Sequence, residues 1–321
     1  MTFLELLFLL FISYYFIYVT FWIVLDCNLG LWYKTHFGLP VSAMRGQVVW
    51  VTGTSSGIGR ALALELAKHG VRLAVSARRA ALLESLKNDC LERSNGFLSD
   101  RDVLVLPMDM LKVSNHEYYF ESVLSHFGRL DVLVNNAGRS QRANWEEISV
   151  QVDRDLFELD VFSVVNLSRI VARYFLQQAG GHGHIAVTSS IAGFCPVPFS
   201  ATYCAAKAAI NAYLNTLRLE QRNIDVTTFC PGPVATEFLA EAFTSEPEQK
   251  YGQSTEHQKR MTAERCGQLF AASIVNKLDL AWCGLFPVNL LAYASRYPGL
   301  ANIIFKILGK NTMNKIREGK L

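Results

Sequence analysis

The sequence predicts an α/β protein built on a doubly wound parallel sheet, with one main domain and an apolar helix at the N-terminus. Short runs rich in β-branched residues alternate with helical patterns along most of the chain. These runs are almost continuously apolar, as expected of strands that helices cover on both faces. The first run leads directly into a glycine-rich turn that opens the first helix.

Six strands are expected, at residues 48–51, 72–76, 103–106, 130–134, 185–188 and 226–229. They place the domain at residues 47–284, after a linker at 31–46. Single α/β domains often exceed two hundred residues, so the rest of the 321-residue chain is interpreted as terminal additions to one domain.

The composition excludes several classes of protein. Half of the residues are hydrophobic and 18% are charged, which excludes a disordered chain. The net charge of +3 is scattered, whereas nucleic-acid binding needs a basic stripe or domain. The seven cysteines never form a C-x-x-C pair, so buried free thiols are expected rather than a zinc site or disulfides. His182 and His184 lack a third ligand nearby, and we expect them in a surface loop with no metal.

The first thirty residues are expected to form a membrane anchor. Residues 6–25 carry no charge, and a helix of that length, at about 1.5 Å per residue, spans the roughly 30 Å hydrocarbon core. A cleaved signal peptide would begin with basic residues and end in small ones, whereas this segment begins with Glu5 and ends before Asp26. Lys34 and Arg45 follow the span and no Lys or Arg precedes it, so the domain is expected in the cytosol.

The C-terminal extension, residues 285–321, combines an apolar stretch with a basic end. Pro287 and Pro298 interrupt the apolar stretch, which makes it unsuitable for spanning a bilayer. Two interpretations remain open. The extension lies on an anionic membrane surface, or it is a helix packed on the domain with a solvated basic tail.

The glycine-rich turn has the spacing G-x-x-x-G-x-G, at Gly53, Gly57 and Gly59. Glycines let the backbone turn tightly and approach a pyrophosphate, whose charge is then met by amides at the start of the helix. A glycine-rich turn alone can be purely structural. Its place between the first strand and the first helix favours a dinucleotide site of the Rossmann type.

The second strand ends at Arg78 and Arg79, where an NAD-selective site usually offers an acid to the ribose 2′-hydroxyl. A guanidinium offers charged donors to a 2′-phosphate instead. The sequence therefore predicts NADP(H) as the cofactor, although either arginine could be a solvated residue at a helix start.

Tyr203 and Lys207 lie at positions i and i+4 of a predicted helix, so their side chains share one face. A neighbouring cation favours the phenolate, which would lower the pKa of Tyr203 toward neutrality and let it exchange a proton with a carbonyl oxygen. Ser190 follows the fifth strand and could donate a hydrogen bond to the same oxygen. Tyr-x-x-x-Lys is common by chance, so its position after that strand and serine gives it weight.

These motifs resemble those of the short-chain dehydrogenase/reductase family, over about residues 48–283. The resemblance rests on the glycine turn, on Asn135-Asn136-Ala137-Gly138, on Ser190 with Tyr203 and Lys207, and on Pro231-Gly232-Pro233-Val234-x-Thr236. The anchor and several shorter runs are similar to a membrane-anchored group of that family. That group acts on retinoids, steroids and other lipophilic carbonyls.

The resemblance implies a role for each matching residue. Tyr203 is the general acid, Ser190 orients the carbonyl, and Lys207 lowers the pKa of the phenol and binds the nicotinamide ribose. The glycine turn, the two arginines and the resemblance together predict the cofactor-binding residues, which are Gly53, Ser55, Ser56, Gly57, Ile58, Gly59, Arg78, Arg79, Asp109, Met110, Asn136, Ala137, Gly138, Tyr203, Lys207, Pro231, Gly232, Val234 and Thr236.

One position departs from the family pattern. Where the family has a catalytic Asn, this chain has Asp160. The family role of that Asn involves a backbone carbonyl that holds a water in a proton relay to the Lys, which Asp could partly preserve. An ionised carboxylate cannot donate a hydrogen bond, and near Lys207 it would compete with the phenolate for the cation.

The leading hypothesis is an NADPH-dependent reductase of lipophilic ketones or aldehydes, such as retinoid, steroid or related lipid carbonyls. Phe194, Pro196, Val197, Pro198 and Phe199, with residues 238–260, are expected to form an apolar pocket and lid. The alternative is a membrane-tethered NADP(H)-binding sensor or scaffold without turnover, which Asp160 motivates. We expect a role in lipid metabolism at the endoplasmic reticulum membrane, and a homodimer is usual for the family.

Overall fold

The structure is a computed structural model that describes residues 2–177, 181–252 and 259–320. Within these residues the strands are β1 (Val48–Thr52), β2 (Arg72–Ala77), β3 (Val103–Pro107), β4 (Val132–Asn135), β5 (Gly183–Thr188), β6 (Ile224–Pro231), β7 (Val234–Ala235), β8 (Met261–Thr262) and β9 (Leu280–Cys283). Seven of them form one parallel sheet in the order β3-β2-β1-β4-β5-β6-β9. The short strands β7 and β8 pair separately.

The described helices, in chain order, are α1 (Phe3–Val24), α2 (Leu29–Phe37), α3 (Gly57–Lys68), α4 (Ala80–Arg93), α5 (His116–Phe127), α6 (Val150–Phe157), α7 (Ser163–Gln177), α8 (Ala201–Glu220), α9 (Ala263–Val275), α10 (Val288–Ala294) and α11 (Pro298–Glu318). Helices α2, α3, α4 and α9 pack on one face of the sheet, and α5 to α8 pack on the other. The sheet is therefore doubly wound, which confirms the predicted fold class.

The order of the strands locates the site. The chain proceeds from β1 outward to β3 and then returns to add β4 on the other side of β1. The carboxyl ends of β1 and β4 consequently diverge into different connections, and the crevice between them is where doubly wound sheets bind ligands. Both strands are fully buried because helices cover both faces, which explains their apolar sequences.

The six predicted strands are all present, with ends within about two residues of the prediction. The prediction of only six was wrong, because β9 adds a seventh strand at the sheet edge. Its sequence, Leu-Ala-Trp-Cys, has no β-branched residue and is only four residues long, so it lacked the usual strand signal. The expectation that His184 lies in a surface loop was also wrong: it is buried in β5, with Nε2 2.9 Å from the Thr227 hydroxyl.

The terminal helices pack against each other at one side of the domain. Helix α1 is long and apolar enough to cross a membrane, and most of it is exposed. At its end, the Trp22 ring stacks on Tyr293 of α10 with centroids 4.7 Å apart. The buried Asn289 of α10 donates to the carbonyl of Leu25 at 2.9 Å and accepts from the Trp282 indole at 3.1 Å. The N-terminal helix is thus fastened to the C-terminal extension.

Helix α11 is kinked at Gly309, where the backbone leaves the helical conformation. Before the kink, Leu300, Ile303 and Ile307 share an exposed apolar face. After it, Met313 and Ile316 are buried against the domain. Each interpretation of this extension therefore fits one part of α11. The part after the kink is a helix packed on the domain, and the part before it presents apolar side chains outward, as a membrane-facing segment would.

Candidate active site

A cavity of about 920 Å³ lies along the carboxyl ends of β1, β2, β4, β5 and β6. At one end, which we call the glycine end, it is lined by Gly53, Ser55, Arg79 and Asn136. At the other, the helical end, it is lined by Val197, Leu291, Met313 and Ile316. Ser190 and Tyr203 line the same cavity, so polar groups able to act on a carbonyl face a space large enough for two ligands.

The glycine turn requires glycine at two positions for steric reasons. Gly53 has φ +70°, and a Cβ there would lie 2.7 Å from Cα of Ala137. A Cβ on Gly59 would clash with the Gly53 carbonyl and the Asn136 amide. Helix α3 begins at Gly57, so its unpaired amides face the cavity. This concave backbone at a helix N-terminus fits the phosphates of a dinucleotide.

Asn136 holds this turn in place. Its amide nitrogen donates to the carbonyls of Thr52 and Gly53, both at 3.1 Å, and its amide oxygen accepts from the Thr188 hydroxyl at 3.0 Å. The side chain therefore links the glycine turn after β1 to the end of β5. Every predicted cofactor-binding residue lines the cavity except Gly59, which packs behind the turn.

Arg78 and Arg79 are exposed at the mouth of the glycine end. Nη2 of Arg79 donates to the Ser55 hydroxyl at 3.0 Å, which places its charge beside the turn. Asp109 and Met110 line the wall beyond β3. The charge at the mouth of this end is therefore suited to an anionic group on a ligand.

Ser190, Tyr203 and Lys207 converge as predicted. Helix α8 carries Tyr203 and Lys207 one turn apart, and the Lys207 nitrogen lies 5.7 Å from the centre of the Tyr203 ring. Lys207 also donates to the Thr188 carbonyl at 3.2 Å. Ser190 directly follows the loop after β5, and its hydroxyl donates to the Pro231 carbonyl at 3.3 Å. All three side chains are more than 90% buried.

The electrostatics of Tyr203 differ from the sequence-based expectation. Burial raises the pKa of Tyr203, and the neighbouring Lys207 cation and Ser190 hydroxyl offset that rise only in part. Burial also disfavours the charged form of Lys207, but Asp160 and Tyr203 outweigh this and raise the pKa of Lys207. Lys207 thus has the expected effect on Tyr203, while desolvation, which the sequence does not show, has the larger one.

Asp160 lies behind Lys207 and is not among the residues that line the cavity. It belongs to a π-helical turn, Glu158–Phe162, between α6 and α7, and is 1% exposed. One carboxylate oxygen lies 3.0 Å from the Lys207 nitrogen, and the other accepts from the Arg139 amide at 2.8 Å. Burial raises the pKa of Asp160, and Lys207 opposes that rise.

The predicted apolar pocket is only partly correct. Of the five apolar residues named between Ser190 and Tyr203, only Val197 lines the cavity. Phe194 instead packs against Trp282. The predicted lid does line the cavity at several points from Phe238 to Lys250 and at Arg260, while residues 253–258 lie outside the described part of the chain.

Sequence reasoning missed Arg142 and the C-terminal residues that complete the helical end. Leu291, Met313 and Ile316 come from α10 and α11, far along the chain from Tyr203. No motif marks them, and only the folded chain brings them to the cavity. Arg142 had a weak signal, since it follows Asn136 in the loop after a strand that already carried site residues.

Comparison with known proteins agrees with this architecture. A family model described as short chain dehydrogenase matches residues 47–247. The mouse and human proteins named dehydrogenase/reductase SDR family member 7 are 39% and 38% identical, over 90% of this chain and 85% of each relative. The 11-beta-hydroxysteroid dehydrogenase A of Sesamum indicum is 35% identical over 62% of this chain and 55% of its own length.

Among solved structures, an alcohol dehydrogenase from the archaeon Thermococcus sibiricus, complexed with 5-hydroxy-NADP, has a TM-score of 0.63. It is 24% identical and covers 75% of this chain and 97% of its own, which supports the fold. The family match spans most of the domain that carries the glycine turn, Ser190, Tyr203 and Lys207. This chain therefore belongs to the short-chain dehydrogenase/reductase family of oxidoreductases, which bind a nicotinamide cofactor.

Proposed function

We propose that this protein is an NADPH-dependent reductase of lipophilic ketones or aldehydes. The observation that carries the proposal is the position of Ser190 and Tyr203, whose side chains line a cavity that runs from the glycine turn to an apolar end. A substrate carbonyl between the two ends would face both hydroxyls. The apolar lining at Leu291, Met313 and Ile316 favours a lipophilic substrate.

The glycine end fits NADP(H) better than NAD(H). The turn after β1 and the start of α3 would hold the pyrophosphate, and Arg78 and Arg79 would meet a 2′-phosphate. The second strand ends without the acid that an NAD ribose would need. When bound, the nicotinamide supplies a hydride to the substrate.

Tyr203 is the proposed proton donor. Its pKa is raised by burial, so the hydroxyl is protonated at neutral pH and available to donate to a carbonyl oxygen that gains negative charge. The Ser190 hydroxyl would turn from Pro231 to the same oxygen and stabilise that charge. Lys207 would make this proton transfer more favourable, because its cation stabilises the tyrosinate that remains.

The membrane placement is part of the proposal. Helix α1 would anchor the protein, with the domain on the cytosolic side of the endoplasmic reticulum. The exposed apolar face of α11 before its kink lies in the extension to which α1 is fastened. Retinoid, steroid or related lipid carbonyls dissolved in the bilayer would then be near the helical end. The Sesamum indicum relative is named for a hydroxysteroid substrate, which supports this class.

The test is turnover by the purified full chain in detergent. NADPH and NADH are each mixed with retinals, ketosteroids, long-chain ketones and quinones, and the nicotinamide absorbance is followed. We expect oxidation of NADPH with at least one class and much slower use of NADH. If NADPH binds and no substrate is reduced, the alternative of a tethered NADP(H)-binding sensor is favoured. In that case the Asp160 carboxylate, which pairs with Lys207, would prevent the cation from stabilising a tyrosinate.

A further inference from the structure

Arg142 is a buried cation at the wall of the cavity, and two of its donor atoms lack a partner among the described residues. It lines the cavity and is 9% exposed. Its Nε and Nη1 atoms are buried, and neither has a hydrogen-bond partner in the described structure. Burial lowers the pKa of Arg142 to about 10, yet the group remains charged at neutral pH. A buried guanidinium with unsatisfied donors is costly, so its retention requires an explanation.

Arg260 is a second cation of the same kind. It lines the same cavity, and its Nε and Nη2 atoms are also buried without a partner among the described residues. The two guanidinium groups are close enough that Arg260 disfavours the charged form of Arg142. Two like charges that repel each other and face one space favour a negative group in that space.

The carboxylate that acts electrostatically on both arginines, Glu318, already has other partners. Glu318 favours their charged forms, but its carboxylate lies 2.7 Å from the Lys320 nitrogen and accepts from the Asn314 amide at 3.1 Å. Its charge is therefore shared with a lysine. The local balance of the cluster stays positive, and the partnerless donors of Arg142 remain unsatisfied.

The pair lies on the catalytic side of the cavity. A tyrosinate at Tyr203 would favour the charged form of Arg142, and the Arg142 cation in turn acts on the thiol of Cys204, the next residue. Glu318, whose charge acts on both arginines, belongs to α11, which also supplies Met313 and Ile316 to the helical end. The pair is thus close to the reacting carbonyl and to the apolar lining, and Arg78 and Arg79 serve the other end.

We propose that Arg142 and Arg260 bind an anionic group of the substrate, so that the preferred substrates are apolar ketones or aldehydes that carry a carboxylate. This inference rests on the proposed reductase function and narrows its substrate class. The guanidinium fork of Arg142 would bind a carboxylate through the donors that now lack partners. The apolar body of the substrate would lie along Leu291, Met313 and Ile316, with its carbonyl at Ser190 and Tyr203.

The experiment compares a set of oxostearic acids, which differ in the position of the ketone, with their methyl esters. The native full chain in nonionic detergent with saturating NADPH should show a kcat/KM at least about tenfold higher for the best acid than for its ester, the effect of one charge-assisted hydrogen bond. The number of carbons between the carboxylate and the ketone in the best substrate would indicate the distance between Arg142 and Tyr203. Equal kcat/KM values for acids and esters would overturn the proposal while leaving the reductase function intact.

The variants locate the anion. Arg142→Met keeps an unbranched apolar chain and should remove most of the acid preference while ester reduction persists, and Arg142→Lys should keep part of the preference. Arg260→Met should reduce it less. Arg317→Gln is the matched control, because Arg317 lines the same cavity but already donates to the Pro198 carbonyl at 2.7 Å. An unchanged preference in Arg142→Met, or an equal loss in Arg317→Gln, contradicts the assignment.

A binding measurement keeps the inference testable if no ketone is reduced. Dodecanoate has no ketone, and it should raise the unfolding temperature of the NADPH complex, whereas dodecanol and inorganic phosphate should raise it much less. The dodecanoate effect should disappear in Arg142→Met. Equal stabilisation by dodecanol, or by phosphate alone, would show that the arginines do not recognise a carboxylate on an apolar chain.

Discussion

The two ends of the cavity are built in different ways. At the glycine end, residues come from the tips of successive strands, and their polar groups bond to one another: Asn136 joins Thr52 to Thr188, and Arg79 bonds to Ser55. At the helical end, residues come from distant segments, and Arg142 has buried donors without partners. The carboxyl ends of the strands therefore provide one half of the cavity, whose polar groups bond to each other. The other half is completed by α10 and α11 and, we propose, by the substrate.

The largest effect expected at the junction of the two ends is that of Tyr203→Phe. This change removes the proposed proton donor and leaves the ring in place, so reduction should fall about a thousandfold while NADPH affinity stays nearly the same. Tyr213→Phe, on the exposed side of the same helix, is the control. Turnover in Tyr203→Phe close to that of the native chain would show that another group donates the proton.

The next prediction concerns the attachment of the helical end. Asn289→Leu leaves the Trp282 indole and the Leu25 carbonyl without their buried partners. The free energy of unfolding should fall by about 3 kcal/mol, since each unsatisfied group costs about 1–3 kcal/mol. Substrate KM should rise and NADPH affinity should change little, because the residues that line the glycine end come from the strand ends and the start of α3. The exposed Asn302→Leu is the control, and equal losses of substrate and NADPH affinity would contradict the independence of the two ends.

The glycine end can be tested through its charge. Replacing Arg78 and Arg79 by Gln should weaken NADPH about tenfold or more and NADH much less, because only NADPH carries the 2′-phosphate. Arg93→Gln, an exposed change at the end of α4, controls for net charge. Equilibrium binding of both cofactors measures the ratio. Equal weakening of the two would mean that the arginines support the turn, through Ser55, and do not contact the phosphate.

The same contrast explains what the sequence could predict. The glycine end was predictable because a strand end, a tight turn and a helix start follow each other within a few residues, and Tyr203 and Lys207 are one helical turn apart. The helical end was not, because Met313 reaches the cavity only through the packing of α11, and the kink at Gly309 decides which part of that helix is buried. Burial of Tyr203 likewise reversed the expected direction of its pKa, since desolvation depends on neighbours from several segments.

The smallest expected effect is that of Asp160→Asn, where a residue outside the cavity acts on one inside it. The Asp160 carboxylate raises the pKa of Tyr203 and partly neutralises Lys207, 3.0 Å away. Removing its charge should lower the pKa of Tyr203 and make the hydroxyl a better acid, so turnover at neutral pH should rise or stay unchanged. The Asn can still accept from the Arg139 amide, which preserves the turn.

The sign of the pH effect follows from which form of Tyr203 reacts. Reduction needs the protonated phenol and is lost as pH rises through its pKa, so the alkaline limb of the reduction profile should move to lower pH in Asp160→Asn. Oxidation of the matching alcohol needs the phenolate, so its rate should also rise at lower pH than in the native chain. Glu158→Gln removes an exposed carboxylate from the same turn and should move neither limb. A limb that moves upward, or an inactive Asp160→Asn with intact NADPH binding, would instead make the carboxylate itself a required part of the proton path.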